Sequence, residues 1–213
     1  QVVKVNSDLT TETVSAANSL NNHTFTSADG DTITATVSVD SFTYSYEISL
    51  NPMGNCSYIA QMDKSWTSAD QNGADNSSNH VDTTSNGVTW RFYYEATKGI
   101  TSRQIIADTK NNGFKMGSGT YAVTKVIITT VDEYTVDAAY IKAFASNTSS
   151  SFNLKIMVGT SILLNSDTVT YNNQTPAVYG STSNTPLTGQ VSFILTGSNA
   201  ISLQSIAFNK VIA

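Results

Sequence analysis

The sequence predicts an all-β protein, an antiparallel β-sandwich. Three observations carry this. Apolar residues recur with period two in one run after another, Asn, Gly, Ser and Asp punctuate the runs, and no stretch has the pattern of a crossover helix. Successive side chains of a strand point to opposite faces, so each alternating run is a half-buried strand.

Ile33, Ala35, Val37 and Val39 alternate with Thr34, Thr36 and Ser38, and Phe42, Tyr44, Tyr46, Ile48 and Leu50 alternate with Thr43, Ser45, Glu47 and Ser49. Residues Val39-Asp40-Ser41-Phe42 read as the tight turn of a hairpin. By parity Tyr44 and Tyr46 belong to the core face with Phe42 and Ile48. Strands follow at Cys56–Ala60, Val88–Glu95, Arg103–Ala107, Val123–Thr129, Ala138–Ala145, Phe152–Val158, Thr168–Tyr171, Val191–Leu195 and Ile201–Phe208. In the last, Ile201 and Leu203 share one parity and Ile206 and Phe208 the other, which predicts a β-bulge near Ser205. Thr10–Leu20 reads as a short helix or turn, although Thr and Val dilute its propensity. A polar loop is expected over Gly180–Gln190.

The length of 213 residues suits one sandwich domain over residues 1–213, with a long polar loop at 63–87. That loop holds Asp63, Asp70, Asp75 and Asp82 against Lys64, and is expected at one end of the sandwich as its most distinctive surface feature. Charged residues are 13% of the chain, about half the usual share of roughly 25%. With 58 Ser and Thr and 20 Asn, the surface is one of hydroxyls and amides. A net charge of −5 excludes a nucleic-acid partner, which would call for clustered Lys and Arg. No apolar run reaches the roughly 18 residues of a membrane span. An opening at Gln1, not Met, is expected of a secreted chain whose leader is already cut; the alternative is a chain trimmed artificially.

Few residues point to chemistry. Trp66 stands in a polar stretch, and an exposed ring flanked by Asn and Asp is how a binding face stacks on sugars; the alternative is a ring folded over the core. Tyr93 lies opposite the Trp90 face of its strand and is expected toward solvent. Together Trp66 and Tyr93 are the candidate ligand-binding residues. Asp70, Asn72 and Asp75 space oxygen ligands around a glycine turn, which points to calcium as the cofactor; the alternative is a solvated turn. Glu47 and Glu95 lie on polar strand faces, where a catalytic pair would need the two carboxyls close together. His23, His80 and the lone Cys56 have no companions in sequence that would make a zinc site or a triad.

The segments Tyr121-Ala122-Val123-Thr124-Lys125-Val126-Ile127-Ile128-Thr129, Phe152-Asn153-Leu154-Lys155-Ile156-Met157-Val158-Gly159, Thr188–Phe193 and Ile201–Ile206 resemble the strand pattern of jelly-roll, carbohydrate-binding-module-like β-sandwiches. Arg91-Phe92-Tyr93 and Gly113–Ser118 have loose counterparts in the preceding strands, so the resemblance spans about residues 88–210. These modules occur in secreted and surface proteins of low-GC bacteria. The resemblance implies a jelly-roll-like fold and a secreted, non-catalytic β-sandwich that binds glycan or mediates adhesion at the extracellular surface. The alternative is a self-assembling structural subunit of an extracellular filament or virion, in which a terminal segment such as Val2–Val5 completes a neighbour's sheet.

Overall fold

The computed structural model describes residues 2–5, 11–14, 17–18, 32–39, 42–49, 52–73 and 79–211. The chain divides into two compact units, Gln1–Pro52 and Met53–Ala213.

In the first unit, β1 (Val2–Val5) pairs antiparallel with β2 (Thr11–Val14), from Val2↔Val14 to Val5↔Thr11. A separate sheet runs β3 (Ala17–Asn18), β4 (Thr32–Val39), β5 (Phe42–Ser49). β4 and β5 pair antiparallel, as expected of a hairpin, with Val39 opposite Phe42 and Thr32 opposite Ser49; Asp40 and Ser41 lie outside the described residues. The described residues of Thr10–Leu20 do not form the expected short helix or turn. Both described parts of that stretch are strands, because Thr11, Thr13 and Val14 are β-branched and lose side-chain freedom in a helix. Tyr44 also departs from expectation. Ala35 is fully buried, but Tyr44 is 70% exposed, so period two placed it on the right face without saying whether that face is covered at this position.

The second unit is a sandwich. Its strands are β6 (Tyr58–Gln61), β7 (Val81–Ser85), β8 (Val88–Ala96), β9 (Ile105–Asp108), β10 (Gly113–Met116), β11 (Val123–Thr130), β12 (Tyr134–Ala145), β13 (Ser151–Val158), β14 (Ser161–Asn165), β15 (Val169–Thr170), β16 (Ala177–Gly189), β17 (Val191–Ser198) and β18 (Ile201–Lys210). One sheet runs β16-β12-β18-β10-β9, with β6 also on β18; the other runs β14-β13-β17-β11-β8-β7, with β15 on β13. All these strand pairs are antiparallel. The fold class read from the sequence therefore holds.

The predicted bulge is present. Lys142 pairs with Ser205 and the next residue, Ala143, with Leu203, so Gln204 is the extra residue of β18. It lets Leu203 and Ile206, of opposite parity, both face the core. The expected loop at 180–190 is instead the second half of β16. It reads as a loop because β16 is an edge strand rich in Ser and Thr. Pro186 is tolerated there because pairing with β12 breaks between Leu187↔Val136 and Thr182↔Ala138.

Register is reinforced by cross-strand hydroxyl pairs. Thr36 meets Ser45 at 3.3 Å, Ser38 meets Thr43 at 3.2 Å, Thr84 meets Thr89 at 2.9 Å, Thr129 meets Ser192 at 2.7 Å and Thr135 meets Thr188 at 2.9 Å.

Between the two sheets Trp90 is the hub. Its ring centroid lies 5.9 Å from Phe208, 6.0 Å from Phe193, 5.9 Å from Tyr58 and 6.4 Å from Trp66. Its indole N–H donates to the Tyr58 hydroxyl at 2.7 Å, and that hydroxyl donates to the Ser85 carbonyl at 3.0 Å. The polar atoms that two buried aromatics bring inside are thereby satisfied. Trp90→Ala is expected to cost about 3–5 kcal/mol of unfolding free energy, read from urea denaturation. A cost under about 1 kcal/mol would remove Trp90 from the centre of the core.

Candidate functional site

The described residues of the segment 63–87 form two 3₁₀ turns and a strand. Asp63 accepts from the Ser65 backbone N–H at 2.7 Å and starts a 3₁₀ turn at Lys64–Trp66. A second turn, Ala69–Gln71, follows, and Val81–Ser85 is β7. β7 covers the edge of β8 from Val88 to Phe92. Beyond it, residues 71–73 take over along the same edge. The Gln71 side-chain amide donates to the Phe92 carbonyl, the Gly73 N–H donates to the Tyr94 carbonyl at 2.9 Å, and the Asn72 side chain accepts from the Ala96 N–H at 2.9 Å. Side chains and one bridge complete the ladder where no strand remains.

This placement corrects the reading of Trp66. Its ring is 3% exposed and packs beside Trp90, so it presents no face to a sugar. Folding over the core removes apolar area that a surface platform would leave in water. Tyr94 is tied to the same segment by a 2.9 Å bond from its hydroxyl to the Ala69 carbonyl. Burial, and then the Asp70 carboxylate, push the Tyr94 phenol up to about 12, so it remains the donor.

Of the metal candidates, Asp70 is exposed, the Asn72 side-chain oxygen holds Ala96, and Asp75 lies outside the described residues. Among the described residues no three His, Cys, Asp or Glu side chains gather as a metal site. His23 and the Glu47 side chain lie outside the described residues. Cys56 precedes β6 instead of joining it; burial, and then Asp137, push its thiol up to about 11, which keeps it protonated and a poor nucleophile at neutral pH.

The candidate site is the outer face of the seven-stranded sheet. Strand register lays its side chains out in three rows. The middle row is Tyr93, Ile127, Ile194, Lys155 and Asn165, each opposite the next on β8, β11, β17, β13 and β14. One flanking row is Glu95, Lys125, Thr196 and Asn153. The other is Asp82, Arg91, Thr129, Ser192, Met157 and Ile162. Arg91 grips both oxygens of Asp82 at 3.0 Å, and Lys125 holds Glu95 at 3.1 Å. Tyr93 stands between these two ion pairs. It is on the outer face, as its parity requires, but only 8% exposed; the expectation of an open ring is corrected, because Arg91, Glu95 and Ile127 bound it on its own face. Its hydroxyl bonds to none of the described residues and is not among the buried polar atoms, so it reaches solvent.

His80 sits at the margin, with Nε2 3.6 Å from Asp82 and a buried, unpartnered Nδ1. Sequence reading missed Asp82, Arg91, Lys125 and Lys155 as a group. Their parity was legible, but the strand order that aligns them was not.

Hydrogen bonds from Arg91 hold the Asp82 carboxyl below the usual carboxylate range. The folded protein keeps this charge to lower pH than the unfolded chain, so the pair stabilises above the unfolded value of about 3.9 and loses its contribution as pH falls through the lower folded value. Asp82→Asn is therefore expected to cost about 0.2–1 kcal/mol near neutral pH, screening included. That difference should vanish in acid melts well below pH ~3.9, and a constant difference across the range would show a cause other than this pair.

No family model and no curated protein matches the chain. Solved structures do. A carbohydrate-binding module of the CBM32 type, part of CpGH89 produced by Clostridium perfringens, is 17% identical, with a TM-score of 0.33 over 56% of this chain and 94% of that one. A family 6 carbohydrate-binding module is 15% identical, with a TM-score of 0.29 over 56% and 93%. A family two carbohydrate esterase from Cellvibrio japonicus is 11% identical, with a TM-score of 0.31; 58% of this chain matches, over 36% of that one. The structural neighbours thus include carbohydrate-binding modules, at low identity.

Proposed function

We propose that the protein is a non-catalytic β-sandwich that binds glycan at the extracellular surface, through the outer face of its seven-stranded sheet. The three-row layout supports the reading. A sugar ring has an apolar face and a rim of hydroxyls, each both donor and acceptor. The Ile127–Ile194 floor suits the first. Along both sides run paired groups that offer a donor beside an acceptor: Arg91 with Asp82, Lys125 with Glu95, Thr129 with Ser192. The groups stand on strands of one sheet, so little ordering remains to be done on binding. Glu95 is committed to Lys125, an arrangement that suits holding a ligand.

A glycan array tests this with wild type, Tyr93→Phe and Arg91→Met. Wild type is expected to bind at least one glycan class. Each variant should weaken it by roughly fivefold, the worth of one hydrogen bond of about 1 kcal/mol. No binding by wild type, or unchanged binding by both variants, overturns the proposal.

The alternative, self-assembly by strand addition, draws support from the first unit. Val2–Val5 is already paired within its own chain. The sheet has only two strands, however, so among the described residues each strand keeps one unpaired edge. Light scattering after size exclusion is expected to show a mass above one chain that falls when residues 1–10 are deleted; a monomer in both cases removes this reading.

A further inference from the structure

The charges on the outer face do not balance. Of its three cations, Arg91 and Lys125 are each neutralised by a carboxylate of the same face. Lys155, at the far end of the middle row, has no carboxylate within ion-pair distance among the described residues. Its neighbours on the face are Asn165 opposite it on β14, Ile194 opposite it on β17, and Asn153 and Met157 two residues away on β13. Thr196 stands opposite Asn153. Asn153, Asn165 and Thr196 are all exposed. One uncompensated ammonium therefore stands among neutral amides and a hydroxyl, while the Tyr93 end of the same row is electrically balanced.

We infer that this face is built for an anionic saccharide, with Lys155 receiving a carboxylate or sulfate carried on a sugar ring; the inference rests on the glycan reading above. An anion approaching Arg91 or Lys125 meets Asp82 or Glu95 at the same distance and gains little. At Lys155 it forms a charge-assisted hydrogen bond without displacing a protein partner. The neutral donors and acceptors around Lys155 suit the hydroxyls that flank such a group on a sugar. Three inter-strand steps separate Tyr93 from Lys155, about 14 Å at the usual spacing, which is the reach of an oligosaccharide and too long for one ring. The chain as a whole carries a net charge of −5, so a preference for anions must come from a local group.

The test uses calorimetry with a uronate oligosaccharide, a sulfated oligosaccharide, and the carboxyl-reduced and desulfated forms of each. Wild type is expected to bind at least one anionic form roughly tenfold more tightly than its neutral counterpart, the worth of one charge-assisted bond. Lys155→Gln should abolish that difference while leaving the melting temperature unchanged. The comparison of carboxylate with sulfate arms identifies which anion is read. Equal binding of charged and neutral forms overturns this inference and leaves the glycan reading standing. A preference that survives in Lys155→Gln overturns the assignment to Lys155. Binding of none of the four, with none on the array, overturns both.

Discussion

Strand β8 must send Trp90, Phe92 and Tyr94 inward while Arg91, Tyr93 and Glu95 face outward, and the larger unit depends on that alternation. The inward set makes the aromatic hub that joins the two sheets. The outward set supplies two ion pairs and the phenol between them. A slip of one residue in the pairing with β11 would exchange the two sets. The register is held by burial of the inward set, and the Arg91–Asp82 and Lys125–Glu95 pairs add to it by joining residues directly opposite each other. The same side chains thus serve stability and the proposed binding face, and substitutions there have to be read for both.

The edge of β8 shows how an irregular segment can do a strand's work. β7 stops opposite Phe92, and two backbone carbonyls and one N–H would otherwise face water or another chain. Gln71, Asn72 and Gly73 satisfy them with two side chains and one amide. Gln71 is buried and fully engaged, its oxygen held by Thr67 and its amide given to Phe92. What looks in composition like a polar tether is part of the sheet's hydrogen-bonded accounting.

Strands with alternation on a half-buried sheet were legible from period two, including the bulge in β18, where the parity change at Ser205 is written in the order Ile201, Leu203, Ile206, Phe208. Edge strands were not. β16 and β7 are Ser- and Thr-rich because few of their side chains meet the core, and composition alone assigns such segments to loops. Parity also fixed which face Tyr44 and Tyr93 occupy but not what lies over each ring, since coverage comes from neighbouring strands. The ion pairs of the outer face needed strand order, and nothing local in the sequence says that β8 lies beside β11 and β13 beside β17. Trp66 was misread because a polar neighbourhood in sequence says little about what a large ring finds in space.

The cross-strand hydroxyl pairs have a further consequence. Thr36–Ser45, Thr84–Thr89, Thr129–Ser192 and Thr135–Thr188 join opposite residues without charge. Dissolved ions do not screen such a contact as they screen an ion pair, whose reach shrinks to about 8 Å at physiological ionic strength. Hydroxyls also do not titrate between acid and mild alkali. In the seven-stranded sheet Thr84–Thr89 and Thr129–Ser192 therefore keep joining their strands in fresh water, brine or a sour medium, conditions under which the contribution of its two ion pairs changes.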